Sequence, residues 1–176
     1  MATNHLLTAY QGGEFKFAAF GRWDGTPNIF GSKLLQELPS ATIELIRSKL
    51  ALIDNSNILA GVETASFCND LAPDMASDKD SSKILEIVKN LQKPTVIAGC
   101  LDLAISGATE WVYVLNYDTN QLEVYSQYAL KSSDNIFDFL LTTNPKGEKI
   151  NLMKAFCYTE LPTVMNSIVN PYDPLG

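Results

Sequence analysis

Histidine is nearly missing from this sequence, since His5 is the single one among 176 residues. Metal sites built from several histidines are thereby excluded, and a catalytic dyad or triad with an imidazole base would have to use His5 itself. A lone histidine at the start of a strand is more often a packed structural residue than a general base. The sequence therefore points to no catalytic residue of the usual kinds.

Short motifs with a known mechanism are also missing. No two cysteines have the Cys-x-x-Cys spacing of structural zinc sites. The glycine-rich phosphate-binding runs and the Gly-x-Ser-x-Gly turn of serine hydrolases do not occur either. The aspartates between positions 70 and 80 lack the central glycine and the closing glutamate of a calcium-binding loop. We therefore expect no metal ion and no cofactor.

Positive charge is scarce, and arginine especially so. The chain has 13 basic residues against 20 acidic ones, a net charge of −7, and its two arginines are Arg22 and Arg47. An acidic chain without a basic run is a poor partner for nucleic-acid phosphates or for an anionic membrane. The longest nearly apolar run, 96–108, is interrupted by Asp102 and is shorter than the ~20 residues that span a bilayer. We expect neither nucleic-acid binding nor membrane insertion.

Cysteine is limited to Cys68, Cys100 and Cys157. Their odd number and wide spacing argue against a disulfide framework and favour reduced, packed thiols. The N-terminus lacks the basic segment and apolar stretch of a secretory signal. We therefore expect a protein of the cytoplasm of its host cell.

The residues that are present favour a single α+β domain over 1–176. A chain of this length buries about 70% of its unfolded surface, and 46% of its residues are hydrophobic. Two hairpins are predicted, one around Gly12-Gly13 and one around Asp118-Thr119-Asn120. The strand that starts at Trp111 is apolar on both faces, so we expect it at the centre of a sheet covered on each side.

Apolar residues with helical spacing predict helices between these hairpins and after them, within 34–53, 81–93 and 134–141. Alternation of apolar and polar residues predicts a further strand at 101–106. In the second strand of the first hairpin, the same alternation places Phe15 and Phe17 on one face. The expected fold has mainly antiparallel sheets with helices packed outside.

One layout that fits this description is the four-layer αββα sandwich of the N-terminal nucleophile hydrolases, by analogy of layout alone. Those enzymes use a Thr, Ser or Cys at a processed N-terminus. Removal of Met1 would instead expose Ala2, and Thr3 would need further trimming. A small hydrolase of this kind is the alternative function.

The loop after the first hairpin concentrates unlike residues. Gly21 and Gly25 permit backbone angles that a side chain would forbid, and Pro27 fixes its own φ. Between the glycines lie a guanidinium, an indole and a carboxylate. A planar donor beside a tryptophan suits recognition of an anion or of a flat ring. We predict that Arg22, Trp23, Asp24 and Gly25 bind a small molecule or a protein partner.

A structural corner is the alternative interpretation of the same loop. In that interpretation Asp24 caps the turn, Trp23 plugs the edge of the core, and Arg22 pairs locally. Glycine, aspartate and proline are ordinary turn residues, so the composition alone does not decide between the two.

A family resemblance lies in the same region. The run His5-Leu6-Leu7-Thr8-Ala9, the Gly12-Gly13 turn and then Gly21-Arg22-Trp23-Asp24-Gly25-Thr26-Pro27 resemble a family of small uncharacterised proteins from phages, bacteria and fungi. That family shows a Gly-x-Trp-Asp-Gly-x-Pro signature after an N-terminal hairpin, and favours Gln in place of Arg22 and an aromatic residue in place of Thr26. The resemblance implies a shared fold and no activity that carries over to this chain. We expect a non-catalytic binding protein, and the family's occurrence in phages favours host interaction or counter-defence.

Overall fold

The computed structural model describes residues 3–59, 81–97, 99–130, 135–144 and 146–165. Its strands and helices are β1 His5–Gln11, β2 Glu14–Gly21, α1 Ser32–Glu37, α2 Ser40–Lys49, β3 Ile53–Asp54, α3 Lys83–Asn90, β4 Thr95–Val96, β5 Trp111–Asn116, β6 Gln121–Ser126, α4 Asp138–Thr143 and β7 Asn151–Cys157. Shorter helical turns cover Pro27–Gly31, Leu50–Leu52, Leu101–Ile105 and Tyr158–Glu160. The predicted α+β class is confirmed.

The main sheet has five strands in the order β2-β1-β5-β6-β7. Both predicted hairpins are present, and they join through a parallel pairing of β1 with β5 that sets His5 opposite Trp111. The other pairs in this sheet are antiparallel. Within the described ranges, β3 and β4, of two residues each, pair with one another apart from the main sheet and do not form a second stacked sheet. The αββα sandwich is therefore not confirmed.

Two hydrophobic cores cover the two faces of the sheet. Helices α1, α2 and α3 pack on one face, against side chains such as Phe17 and Trp111. The Leu101–Ile105 turn and α4 cover the other face, around Val112 and Phe137. All six residues of β5 are buried, which confirms the prediction of a central strand with cover on each side.

A β-bulge separates Phe15 from Phe17. Ala9 pairs with Phe17, whereas Tyr10 pairs with Phe15, so Lys16 is the additional residue on β2. One inserted residue reverses which face the following side chains point to. Phe17 therefore packs in the core that the helices α1, α2 and α3 cover, whereas Phe15 packs in the core on the opposite face of the sheet. The prediction that the two residues share a face is wrong.

The segment after Cys100 is helical and not extended. Leu101–Ile105 forms a 3-10 turn in which Leu101, Ala104 and Ile105 are buried while Asp102 is exposed. Buried residues at i, i+3 and i+4 suit a helical turn, and short apolar runs fit both periods. The prediction of a strand here is wrong for that reason.

Two predictions concern residues outside the described ranges, namely the acidic stretch 70–80 and Cys68. Among the helices that the structure does describe, none has both the length and the apolar character needed to cross a membrane.

Candidate functional site

A buried aromatic platform lies under the predicted binding loop. The His5 ring is fully buried, with its centroid 3.9 Å from that of Phe30 and 6.5 Å from that of Tyr113. Phe30 and Tyr113 are 5.0 Å apart, so the three rings form one cluster. His5 is thus a packed residue, as expected for a lone histidine at the start of a strand.

The two glycines of the loop are required by this cluster. A Cβ added to Gly21 would overlap the His5 imidazole. A Cβ added to Gly25 would lie 2.8 Å from His5 Cβ and 2.8 Å from the carbonyl oxygen of Thr3. Neither glycine has a positive φ, so the prediction that they serve unusual backbone angles is wrong. They allow the close approach of His5 instead.

Hydrogen bonds fix the loop on the platform. The Gly25 amide donates to Thr3 O at 3.1 Å, and the Tyr113 hydroxyl donates to Gly25 O at 2.8 Å. The Phe30 amide lies 3.2 Å from Asp24 O and 2.9 Å from Thr26 O. Burial raises the pKa of Tyr113 well above its usual value, so its hydroxyl stays a donor across the physiological range.

Above this base the backbone takes a conformation that side chains disfavour. Trp23 has φ 70° and Asp24 has φ 52°, two consecutive non-glycine residues in the left-handed region. Each such residue costs about 1–2 kcal/mol relative to an ordinary conformation. Trp23 is 54% exposed, so the interpretation that it plugs the edge of the core is wrong.

The loop brings together three of the four predicted site residues at the surface. Arg22, Trp23 and Asp24 are exposed, whereas Gly25 is buried against His5 and belongs to the base. The result is a projecting group of a guanidinium, an indole and a carboxylate on an anchored backbone. Its binding role stays a prediction.

A cavity lies at the other end of the same hairpin. It has a volume of about 280 Å³, and its lining includes Tyr10, Glu14, Phe15, Asn55 and Phe139. β1 runs from the platform to this cavity, a distance of about 20 Å at the usual rise of a strand. The lining comes from separate segments of the chain, so no local motif in the sequence announces it.

Carboxylates surround the hairpin turn beside this cavity. Asp118 accepts hydrogen bonds from the Gly12 and Gly13 amides at 2.7 and 2.9 Å. Glu123 is buried and pairs with Val114, which belongs to the same hydrophobic core as Phe15, so its side chain lies on the same face of the sheet. Burial is the first cause that raises the pKa of Tyr10, and the negative charges of Asp118 and Glu123 raise it further.

In the ranges that the structure describes, no group of three or more His, Cys, Asp or Glu side chains has the arrangement of a metal site. Comparison with known proteins gives no match to this chain, whether with family models, curated proteins or solved structures. The resemblance to phage, bacterial and fungal proteins therefore stays a prediction.

Proposed function

We propose that this chain is a non-catalytic binding protein that recognises a protein partner through Arg22, Trp23 and Asp24. The observation that carries the proposal is the half-exposed Trp23 in a left-handed backbone conformation. Folding alone favours glycine at such a position and burial for an indole. A residue that meets neither preference is better explained by a contact outside the chain.

The anchored base supports binding by these side chains. Hydrogen bonds from Tyr113 and to Thr3 hold the loop in place before any partner arrives. A preorganised loop loses little conformational freedom on association, so more of the contact energy appears as affinity. Tryptophan and arginine are also the residues most often found as energetic anchors of protein interfaces.

The shape of the loop favours a protein over a small molecule. Small ligands bind in concave sites that enclose most of their surface. Trp23 is exposed instead, and a cavity with the volume for a small ligand lies about 20 Å away along β1. Arg22 and Asp24, the sequence neighbours of Trp23, are exposed and carry opposite charges that can orient a partner.

The family resemblance favours a phage-related role, either host interaction or counter-defence. Within this proposal, the contact made by Arg22, Trp23 and Asp24 would carry out that role. In the described residues, nothing specific favours the alternative of a small hydrolase with a processed N-terminal nucleophile.

The test uses the purified chain as immobilised bait in an extract of the host cell. Wild type is compared with Trp23→Ala, with Arg22→Ala and with Leu45→Ala, which removes another exposed apolar side chain, on α2. We expect one protein to be retained by wild type and by Leu45→Ala. Trp23→Ala should weaken its binding at least tenfold at an unchanged melting temperature, since anchor residues contribute about 2 kcal/mol or more.

Two results would contradict the proposal. One is retention of the same partner by Trp23→Ala with wild-type affinity. The other is that every protein retained by wild type is retained equally by the Trp23 and Arg22 variants.

A further inference from the structure

Three aromatic rings and four aliphatic side chains form the apolar wall of the cavity at the hairpin turn. Phe15 stands between Tyr10, whose ring centroid is 4.9 Å away, and Phe139, at 6.0 Å. The Tyr10 ring is nearly perpendicular to Phe15, and the Phe139 ring is tilted by 32° from it. Phe139 is 46% exposed, so its ring borders the opening. The faces of such rings carry partial negative charge.

The polar side chains of the lining offer acceptors. Asn55 donates its Nδ2 to the Phe15 carbonyl oxygen at 2.7 Å, so the amide is held in place and its oxygen is an acceptor. Glu14 contributes a carboxylate whose Oε2 lies 3.0 Å from Lys16 Nζ. The Tyr10 hydroxyl can donate or accept. A ligand that supplies donors or positive charge is complementary to this set.

Further negative charge lies behind the wall. Asp118 binds the amide of Gly13, itself a lining residue, at 2.9 Å. Glu123 is buried, and its hydrogen-bond donors are the neutral side chains of Asn116, Thr119 and Tyr125. Hydrogen bonds from neutral groups do not cancel the charge of a carboxylate. Burial is the first cause of the raised pKa of Tyr10, and the charges of Asp118 and Glu123 add to it, so both carboxylates lie within electrostatic reach of a lining residue.

We propose that this cavity binds a small organic ammonium ion, whose apolar part packs against Tyr10, Phe15 and Phe139 and whose charged nitrogen lies near Glu14. Ring faces and carboxylates attract a cation together, and their attraction strengthens where water is partly excluded. The site is distinct from the loop at the other end of β1 and does not depend on its function.

The same features decide against other ligand classes. An anion would meet the carboxylate of Glu14 and the nearby negative charges of Asp118 and Glu123, which the ammonium group of Lys16, paired with Glu14, offsets only in part. A neutral apolar ligand would gain the aromatic contacts but not the electrostatic ones. The volume of about 280 Å³ is at the small end of ligand sites, which restricts the ligand to a small molecule.

The test is a titration of the ¹⁵N-labelled full chain with three probes that each carry one phenyl ring, monitored by amide chemical shifts. The probes are benzyltrimethylammonium, benzyl alcohol and benzenesulfonate. We expect benzyltrimethylammonium to give saturable shifts centred on Gly13, Glu14 and Asn55. The neutral probe should bind at least about fivefold more weakly, and the anion weaker still.

Two variants separate the contributions of ring and charge. Phe139→Leu keeps an apolar side chain but removes an aromatic face, and Glu14→Gln removes a carboxylate. Both positions are well exposed, so the fold should tolerate the changes. Each should weaken binding of benzyltrimethylammonium about threefold or more. Glu86→Gln on α3 is the matched control, because Glu86 is likewise an exposed glutamate paired with a lysine, and this change should leave the affinity unaltered.

The proposal is overturned if benzyl alcohol or benzenesulfonate binds as tightly as the cation. It is equally overturned if the cation gives no saturable shift, or if its affinity is the same in Phe139→Leu and Glu14→Gln as in wild type.

Discussion

The two ends of the first hairpin differ in whether the side chains of the candidate site also stabilise the fold. At the loop end, the backbone is fixed from below by His5 and Tyr113, and the side chains above it are exposed. At the cavity end, side chains such as Phe15 belong at once to the cavity wall and to a hydrophobic core.

This difference has consequences for mutation. Exposed side chains on an anchored loop can be changed with little loss of stability, because the contacts that hold the loop lie beneath them. A side chain that both lines a cavity and fills a core cannot be changed without affecting the fold. Function and stability should therefore separate at the loop end and remain coupled at the cavity end, except at exposed positions such as Phe139 and Glu14.

Breaking the base of the loop should have the largest effect. Gly21→Ala places a methyl group in the space of the His5 imidazole, and we expect a loss of about 3 kcal/mol in the free energy of unfolding. Chemical denaturation measures the loss.

The double variant His5→Ala with Gly21→Ala is the control for this mechanism. Removal of the imidazole makes room for the new methyl group. The double variant should therefore lose less unfolding free energy than the two single variants lose together. Strict additivity would show that the cost of Gly21→Ala does not come from His5.

A smaller effect is expected when the hydroxyl that holds the loop is removed. Tyr113→Phe leaves Gly25 O without its donor, and we expect a loss of about 1–2 kcal/mol near neutral pH. The folded-state pKa of Tyr113 is raised well above 10.0, so stabilisation from the protonated phenol is fully present below pH 10 and is lost as the pH rises towards the folded-state pKa. Between pH 10 and the folded-state pKa, the unfolding free energy of wild type should fall more steeply with pH than that of Tyr113→Phe. The difference should be about 1.4 kcal/mol per pH unit.

Tyr10 sharpens this comparison from the cavity end. Its pKa is also raised, but the residue is only partly buried, so Tyr10→Phe should change the alkaline slope less than Tyr113→Phe does. Equal changes in slope would contradict the difference in burial. Denaturation at several pH values above 10 provides both slopes.

The smallest expected effect concerns the strained backbone of the loop. Trp23→Gly should be more stable than Trp23→Ala by about 0.5–1 kcal/mol, because glycine adopts φ 70° without the cost that a Cβ brings. Leu45 on α2 provides the opposite case, since Gly in a helix is less stable than Ala by about 1 kcal/mol. If glycine is the less stable residue at both positions, Trp23 is not strained, and thermal denaturation of the four variants decides this.

The sequence predicted those parts of the fold that depend on neighbours in the chain. Both hairpins and the buried strand at Trp111 follow from turn residues and apolar patterns within short segments. The pairing of β1 with β5 does not, because nothing in either strand specifies a partner about a hundred residues away. The bulge at Lys16 was not predicted from the sequence, because a single inserted residue leaves the apolar pattern looking regular.

The candidate sites divide in the same way. Trp23 and its neighbours were found because unlike residues are adjacent in sequence, but the reason for Gly21 lies in a contact with His5, which only the folded chain makes. The cavity was missed because its walls come from segments as distant as Tyr10 and Phe139.

The hydrogen bond from Tyr113 to Gly25 also has a consequence for biosynthesis. The two residues are 88 positions apart, so the loop emerges from the ribosome long before its support is made. At translation rates of roughly 5–20 residues per second, the interval is on the order of 4–18 seconds. During that time β1 lacks the strand that later pairs with it, and an unpaired apolar strand edge is a site for aggregation. We therefore expect chaperones to protect the nascent hairpin until β5 has been made.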